Sequence, residues 1–314
     1  MRTGSIRPMS TAGPAARFED VRKRFGDFEA VKGISFEVAP GSLFGLLGSN
    51  GAGKTTSIRM LMNIFKPDSG RVEVLGQTMD EDLKPRVGYL PEERGLYKKM
   101  RVREMLAFFG RIKGRDDAWL APRIDSWLER MGIGGWRDRR VEELSKGMSQ
   151  KLQFVVTVLH GPELLVLDEP FAGLDPVNRD VLRDAVLDLH REGTTVLFST
   201  HVMEQAEQLC DRLVMIHRGR VRLSGSLDEV RRQQGREAVH VAYRLRPGAT
   251  LDDLPGVVSM TAMGQEAELQ LAPDAETEPL LRALLERAEV RRFERKEPSL
   301  HEIFKRIAAE ADAV

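Results

Sequence analysis

A length of 314 residues allows a large core plus a smaller domain, because single hydrophobic cores usually stop growing before about 300 residues. Hydrophobic residues make up 41% of the chain and charged residues 31%, which argues against a largely disordered protein. The 48 basic and 48 acidic residues give a net charge of +0, so the composition disfavours a nucleic-acid partner, whose binding needs concentrated Lys and Arg.

Cysteine content and hydropathy bear on the compartment. Cys210 is the only cysteine, which excludes an internal disulfide and a multi-cysteine metal site and favours a reducing cytoplasm. The longest apolar runs, such as residues 154–159, fall far short of the roughly 20 residues that span a bilayer, so we expect no transmembrane helix. Residues 1–16 contain arginines without the apolar centre of a secretory signal, and we interpret them as a flexible leader.

The first predicted elements are antiparallel strands followed by a buried strand. Residues 18–38 hold two strand-like stretches joined by a Gly-Asp turn. The apolar run at residues 43–47 predicts a strand buried on both faces, and it leads into a glycine-rich loop. Apolar residues at helical spacing then predict a helix that stops before a proline: Ile58, Leu61, Met62 and Phe65.

The middle of the chain alternates between strands and helices. Residues from about 92 to 150 indicate an inserted helical subdomain. Apolar strands follow at residues 164–167 and 194–200, with helical patterns between them. This alternation favours a parallel sheet whose ligands lie at the carboxyl ends of the strands.

A change of pattern near residue 235 predicts a second domain. Strand alternation places four residues on one face: Val239, Val241, Tyr243 and Leu245. A helix is expected near residues 278–287, and Ser299 and Glu302 form a capping-box pattern at the start of a final helix. We therefore divide the chain into a first domain at residues 17–232 and a small α+β domain at residues 236–314.

The glycine-rich loop, GSNGAGKTT, matches the phosphate-binding pattern G-x-x-x-x-G-K-[ST] between a strand and a helix. Glycines let backbone N–H groups turn toward phosphate, and a helix N-terminus adds partial positive charge. We expect Lys54 to reach the β- and γ-phosphates of ATP and the Thr55 hydroxyl to bind Mg²⁺. The predicted phosphate cradle comprises Gly48, Ser49, Asn50, Gly51, Ala52, Gly53, Lys54, Thr55 and Thr56.

Two carboxylates follow the strand at residues 164–167. We expect Asp168 to hold Mg²⁺ and Glu169 to act as the general base that activates water. A strand-end carboxylate pair is common in proteins without such a role, so this prediction depends on the phosphate loop. Together the two features predict ATP hydrolysis.

The segment LSKGM, residues 144–148, resembles the LSGGQ signature of the ABC ATPases, with Lys146 and Met148 departing from it. By itself it is also typical of a helix cap. The resemblance covers most of residues 18–225 and implies a P-loop NTPase of ABC ATPase type, with a mixed sheet, an antiparallel β subdomain and the helical insertion. It further implies that Ser145 and Gly147 contact ATP held by a second subunit.

Other motifs of the family occur in the same order. Asp175 in AGLDP resembles the residue at the dimer seam, and His201 resembles the histidine that senses γ-phosphate. Phe25 matches the aromatic residue that stacks on adenine, although a core phenylalanine is the alternative. Glu92 stands where the family has a glutamine; it can ligate Mg²⁺, but it cannot donate the hydrogen bonds of an amide.

The resemblance implies an ATP-dependent dimer that drives a separate membrane permease, an exporter, from the inner face of the cell membrane. Residues 92–109 are then expected to contact the permease, an ordinary polar surface being the alternative. The tail, residues 297–309, resembles ATPases of sodium-, drug- or polysaccharide-exporting systems, where it would regulate or stabilise the dimer. Two rival functions remain: an ABC protein that acts on ribosomes or DNA, and a nucleotide sensor without turnover.

Overall fold

The structure is a computed structural model that describes residues 13–92, 95–234, 238–272, 275–296 and 299–312. Its strands are β1 (Ala16–Phe25), β2 (Phe28–Val38), β3 (Leu43–Leu47), β4 (Ser69–Val74), β5 (Val87–Leu90), β6 (Leu164–Asp168), β7 (Thr195–Thr200), β8 (Arg212–His217), β9 (Arg220–Ser226), β10 (Ala238–Leu245), β11 (Val257–Met263), β12 (Glu266–Leu271) and β13 (Ala288–Lys296). Its α-helices are α1 (Lys54–Leu61), α2 (Val102–Ile112), α3 (Asp117–Arg130), α4 (Lys146–Val158), α5 (Pro176–Arg191), α6 (Met203–Leu209), α7 (Leu227–Gln234), α8 (Thr277–Arg287) and α9 (Leu300–Asp312).

A six-stranded sheet organises the first part of the chain, with the order β5-β6-β7-β3-β8-β9. All neighbouring pairs in this sheet are parallel except β8 and β9. Side chains of one strand alternate between two cores: Leu164 and Val166 face one, whereas Leu165 and Leu167 face the other. Burial on both faces explains why these strands are continuous apolar runs. The predicted parallel sheet is confirmed.

The antiparallel sheet β2-β1-β4 packs on one side of the six-stranded sheet, and the insertion supplies helices to the other side. Its hairpin closes at the predicted Gly-Asp turn, where Phe25 pairs with Phe28. The insertion is helical as predicted and contains α2, α3 and the N-terminal part of α4. The mixed architecture predicted for the chain is therefore confirmed.

The residues divide into two compact units between Ser226 and Leu227. In the second unit, the sheet β11-β12-β10-β13 is antiparallel throughout, and it has its own core with α8. Helix α7, which was expected to lie mostly in the first domain, packs against α9 and belongs to the second unit.

Three local expectations differ from the structure. Helix α1 ends at Leu61, before the predicted Phe65, and Asn63 beyond it adopts a left-handed conformation with φ of 55°. Leu245 is exposed at the end of β10, after a register shift between Ala242 and Tyr243. The last residues of the predicted leader are structured, since the Ala15 N–H donates to the Val38 carbonyl at 2.8 Å and Ala16 starts β1. Residues 1–12 lie outside the described part of the chain.

Candidate functional site

The glycine-rich loop at residues 48–56 connects β3 to α1. Gly48 has φ of 157°, and a Cβ there would lie 2.3 Å from the Ile216 carbonyl oxygen. Gly53 has φ of 109°, and its Cβ would lie 2.8 Å from the Ala30 carbonyl oxygen. Only glycine fits these positions without moving backbone. The loop therefore passes directly over the neighbouring strands, and its last residues start α1.

This loop forms one wall of a cleft of about 440 Å³. The cleft brings together many of the predicted site residues: Phe25, Ser49, Asn50, Gly51, Ala52, Gly53, Lys54, Thr55, Thr56, Glu92 and Glu169. Phe28 and Ala30 also line it, although the sequence analysis did not select them.

Lys54 is buried at the inner end of the cleft, with 5% of its surface exposed. Its Nζ donates to the Gly48 carbonyl at 2.8 Å and to the Ser49 carbonyl at 3.2 Å. The same ammonium lies 3.4 Å from Glu169 Oε1. A buried ammonium needs such partners, and phosphate oxygens are stronger ones because they carry full charge.

Asp168 and Glu169 occur where β6 ends beside β7. The Ser199 hydroxyl, on β7 opposite Asp168, donates to Asp168 Oδ1 at 2.5 Å and accepts from the Glu169 N–H at 3.1 Å. Glu169 has φ of 49°, an uncommon conformation for a non-glycine residue. The chain thus turns sharply after Asp168, and the two consecutive carboxylates have different partners.

Asp168 is a buried carboxyl group with an unused oxygen. Burial, the largest cause, raises its pKa, while the hydrogen bond from Ser199 opposes the shift. The nearby Thr55 hydroxyl also lowers this pKa, but no hydrogen bond of normal geometry reaches Asp168 Oδ2. A buried acceptor without a partner is costly, so this oxygen is suited to a ligand.

His201 follows the carboxyl end of β7. Its Nδ1 lies 2.9 Å from Glu169 Oε1, and 43% of its side chain is exposed. The same carboxylate oxygen therefore contacts both His201 and Lys54. These three residues, which are far apart in the sequence, lie together beside the glycine-rich loop.

Ser145, Gly147 and Asp175 lie elsewhere and do not line the cleft. Ser145 caps α4, where its Oγ accepts from the Met148 N–H at 3.3 Å, as the helix-cap pattern predicts. Asp175 caps α5 by accepting from the Asn178 N–H at 3.0 Å. A Cβ on Gly147 would lie 3.0 Å from Asn178 Nδ2, so the two helix N-termini are neighbours.

Phe25 is 43% exposed at the edge of the cleft, which excludes the alternative of a core phenylalanine. Phe28, its partner in the hairpin, is 62% exposed and lines the same cleft. Two exposed aromatic rings beside a polar loop provide a surface on which a flat ring can stack. The sequence signal for Phe28 was its position on the other side of the same tight turn.

Two further residues were missed because their roles depend on tertiary neighbours. Ser199 connects Asp168 with Glu169 across two strands, and Asn178 connects Asp175 with the region of Gly147. The only available signal for Ser199 was a polar residue near the end of an apolar strand. Nothing in the local sequence distinguishes Asn178 from the other polar residues of α5.

Comparison with known proteins identifies the family. The model of the ABC transporter family matches residues 31–172. The uncharacterized ABC transporter ATP-binding protein YhaQ of Bacillus subtilis strain 168 is 40% identical over 288 residues, which cover 91% of this chain and 96% of that protein. This chain belongs to the ATP-binding subunits of ABC transporters. As an ABC ATPase, it binds and hydrolyses ATP.

Other comparisons match the second unit, nearly the whole sequence, and the fold of the first unit. A model described as the C-terminal domain of DrrA1-3-like ATP-binding proteins matches residues 225–308. Nod factor export ATP-binding protein I of Paraburkholderia xenovorans strain LB400 is 35% identical over 297 residues, 93% of this chain and 96% of that protein. A solved ATP-binding subunit of an ABC transporter superposes with a TM-score of 0.66 at 30% identity, covering 70% of this chain and 92% of its own.

ABC ATPases generally dimerise and work with membrane permeases, and relatives of this one include export subunits. Within the described ranges of this ABC ATPase, no helix has both the length and the apolar character required to cross a bilayer.

Proposed function

We propose that two copies of this ABC ATPase close around two molecules of ATP, hydrolyse them with Mg²⁺, and thereby drive a separate export permease. The observation that supports this most strongly is the meeting of Lys54, Glu169 and His201 beside the phosphate-binding loop. These residues combine a phosphate-binding cation, a carboxylate base and a second group that orients it. The geometry matches phosphoryl transfer to water.

The two ends of the cleft bind different parts of ATP in this proposal. Backbone N–H groups of residues 48–56 and Lys54 face the phosphates, whose negative charge is stabilised there. Phe25 stacks on adenine, and Phe28 extends the same surface. When phosphate oxygens replace the Gly48 and Ser49 carbonyls as partners of Lys54, its ion pair with Glu169 weakens.

The residues present fit a magnesium ion held together with ATP. Asp168 Oδ2 is buried without a hydrogen-bond partner, and the Thr55 hydroxyl faces the same carboxyl group. The described residues contain no ready-made cluster of three or more metal-ligating side chains, which agrees with the preference of Mg²⁺ for few carboxylates plus phosphate oxygens and water. Thr55, Asp168 and Glu92 would hold the ion, directly or through water. The ion would neutralise charge on the phosphates.

Glu169 is the general base in this proposal. Its Oε1 accepts a proton from the water that attacks the γ-phosphate, and the leaving group is ADP. His201, already 2.9 Å from that oxygen, keeps the carboxylate oriented and contacts the γ-phosphate. The strained backbone of Glu169 directs its side chain toward the cleft rather than along β6.

A second copy completes each site. Ser145, Gly147 and Asp175 do not line the cleft of their own chain, yet the N-terminus of α4 presents the Ser145 hydroxyl and first-turn N–H groups, which are suited to phosphate. In the dimer, Ser145 and Gly147 contact the γ-phosphate bound by the other copy, and Asp175 lies at the seam. ATP favours the closed dimer because ATP binds the closed dimer more tightly than the open form.

The permease contact lies on residues 92–109, of which 93 and 94 are outside the described residues. Tyr97 is 54% exposed and Phe108 38% exposed, and their rings lie 5.9 Å apart. An adjacent groove of about 750 Å³ is lined by residues that include Gly95 and Gln153. Exposed aromatic rings beside a groove are suited to receive a short helix of a membrane subunit, which would place the ATPase at the inner membrane face.

Export is proposed because relatives named for Nod factor export and daunorubicin resistance match nearly the whole chain. A protein that acts on ribosomes is the main alternative to transport. Co-purification of the native protein with a membrane permease would support our proposal, whereas co-purification with ribosomes would contradict it.

The catalytic proposal is tested with Glu169→Gln. Phosphate release from Mg²⁺-ATP, measured with the permease present, is expected to fall by about 10² to 10⁴ because the amide cannot accept the proton. The variant should also form an ATP-dependent dimer in sedimentation experiments, since it binds ATP without turnover.

Glu278→Gln, on an exposed part of α8, is the matched control and should behave as wild type. Wild-type protein without any phosphate release would instead support a nucleotide sensor. Undiminished turnover in Glu169→Gln would contradict the role assigned to this base.

A further inference from the structure

The outer edge of β11 is an exposed strand edge in the second unit. This strand ends the sheet β11-β12-β10-β13 and pairs only with β12, and within the described ranges no strand covers its other side. Its sequence, VVSMTAM, contains no charge, and its large hydrophobic side chains Val258, Met260 and Met263 are exposed. Such an edge is a template for pairing with another strand.

The opposite edge of the same sheet is protected. Strand β13 has the sequence AEVRRFERK, whose charged side chains discourage pairing with another chain. Helix α8 also packs against β13. The contrast between the two edges shows that the missing protection is specific to β11.

The core layer of the sheet also continues onto β11 without cover. Met260 lies opposite Leu269 and Ala262 opposite Ala267, so these pairs share the core-facing side. Leu269 and Ala267 are buried, whereas Met260 is 40% exposed and Ala262 is exposed as well. The apolar face of the sheet therefore extends onto β11, whereas the buried core of this unit does not.

We propose that β11 pairs antiparallel with β11 of a second copy of this chain and joins the two sheets into one. A register shift at Val258 leaves residues 259–263 as the regular part of the strand. A two-fold axis at Thr261 then places Met260 opposite Ala262 of the second copy on the core-facing side, where both are shielded from water.

The chemistry of the strand favours its own copy as the partner. Self-pairing of an uncharged segment brings no like charges opposite each other. The acidic residues Glu266 and Glu268 lie on β12, so in the joined sheet the two β12 strands are about 14 Å apart, beyond a Debye length at physiological salt. A partner selected by charge would need charges that β11 does not offer.

The pairing builds on the two-copy assembly proposed above but requires no nucleotide. A single strand pair is weak alone, and the ATP-dependent contact raises the effective concentration of one edge near the other. The strand pair would then add to the stability of the dimer that ATP closes, and in the absence of ATP it would form only in a small fraction of the copies.

Disulfide cross-linking of the full chain tests the register. The axis places the two Thr261 Cα atoms about 4.5–5.5 Å apart, within the range of a disulfide. Thr261→Cys should therefore form a cross-linked dimer under mild oxidation without nucleotide. Native Cys210 contributes little background, because burial raises the pKa of its thiol and leaves little thiolate.

Leu285→Cys, exposed on α8 of the same unit, is the matched control and should give about tenfold less cross-linked dimer. A mixture of Ser259→Cys and Met263→Cys should cross-link, whereas each alone should not, since the two copies of either residue lie about 13 Å apart along the strands.

Equal yields from Thr261→Cys and Leu285→Cys, or a cross-link from Thr261→Cys only to a different protein, would overturn the proposal. The result is independent of the catalytic proposal. Loss of the ATP-dependent Glu169→Gln dimer with retained Thr261→Cys cross-linking would contradict the ATP-closed dimer alone, and the converse result would contradict only the β11 pairing.

Discussion

Two strand-end residues with different environments sit side by side at the site. Asp168 is held by Ser199 with one oxygen left without a partner, whereas Glu169 contacts Lys54 and His201. Environment, rather than residue type, therefore distinguishes the carboxylate that we propose as a metal ligand from the one that we propose as the base. Ser199 is central to this separation, because its single hydroxyl positions both residues.

Ser199→Ala should therefore weaken both the fold and the metal site. Loss of a donor to a buried carboxylate lowers the free energy of unfolding by about 1–3 kcal/mol. The Mg²⁺ concentration for half-maximal phosphate release should rise, since Asp168 loses the hydrogen bond that opposes its raised pKa. Urea unfolding and a Mg²⁺ titration measure the two effects.

Thr157→Val is the control for this substitution, because the Thr157 hydroxyl is also buried but donates only to the Gln153 carbonyl of its own helix. It should leave the Mg²⁺ dependence unchanged. A Mg²⁺ titration of Ser199→Ala that overlays the wild-type curve would contradict the role assigned to Ser199.

At the scale of elements, the junction of β3, the loop and α1 positions the residues that we propose to hold the phosphates. Gly53 adopts φ of 109° as the N-cap of α1, close to the Ala30 carbonyl of β2. The loop is thus held between the two sheets, and its backbone N–H groups are fixed before ATP arrives. Preorganisation of this kind lowers the cost of binding.

Gly53→Ala should displace the loop, because its new Cβ would lie 2.8 Å from backbone that cannot give way. We expect ATP affinity, measured by equilibrium binding, to fall more than about tenfold, with a cost in stability of about 1–3 kcal/mol. Gly193→Ala is the matched control, because Gly193 also has a positive φ, 96°, but has open space where the new Cβ would lie. It should lose stability and keep ATP affinity; equal losses of affinity in both variants would refute the explanation.

The sequence predicted those elements whose pattern is local. The buried strands β3, β6 and β7 and the capping box at Ser299 follow from short-range chemistry, and the structure contains them. The end of α1 was wrong because the apolar stripe continues past a left-handed Asn63 that periodicity does not reveal. Strands β11 and β13 were not predicted, since the alternation of apolar and polar residues covers only residues 258–262 of β11 and residues 288–291 of β13. The residues of the proposed site were selected from motifs and remain a prediction, whereas the Ser199 and Asn178 contacts depend on register between distant segments.

At the scale of the whole molecule, a buried histidine links folding to pH. His160 follows α4 with 1% of its surface exposed, and its pKa is lowered to about 4. Burial is the largest cause, the nearby cation of Lys113 adds to it, and the Val87 backbone partly opposes it. The unfolded chain binds a proton near pH 6.5 and the folded chain does not, so stability is complete above that pH and falls as the pH drops toward 4.

Acidification from pH 7 to pH 5 should lower the free energy of unfolding by about 2 kcal/mol through this group. Urea unfolding followed by tryptophan fluorescence measures it, since Trp119, Trp127 and Trp136 all lie in or beside the core that α4 helps to form. His160→Gln should reduce the pH dependence by that amount, whereas His301→Gln, exposed on α9, should not. An identical pH dependence in wild type and His160→Gln would contradict the linkage.

We propose that each ATP is hydrolysed between Lys54 and Glu169 of one copy and Ser145 of the other. Lys54→Ala and Ser145→Arg should each abolish phosphate release. When the two proteins are mixed, half of the dimers combine both chains, and each such dimer has one site without either substitution. Mixing equal amounts should therefore restore about a quarter of wild-type activity. Activity of the mixture no greater than that of the separate variants, with mixed dimers present, would contradict it.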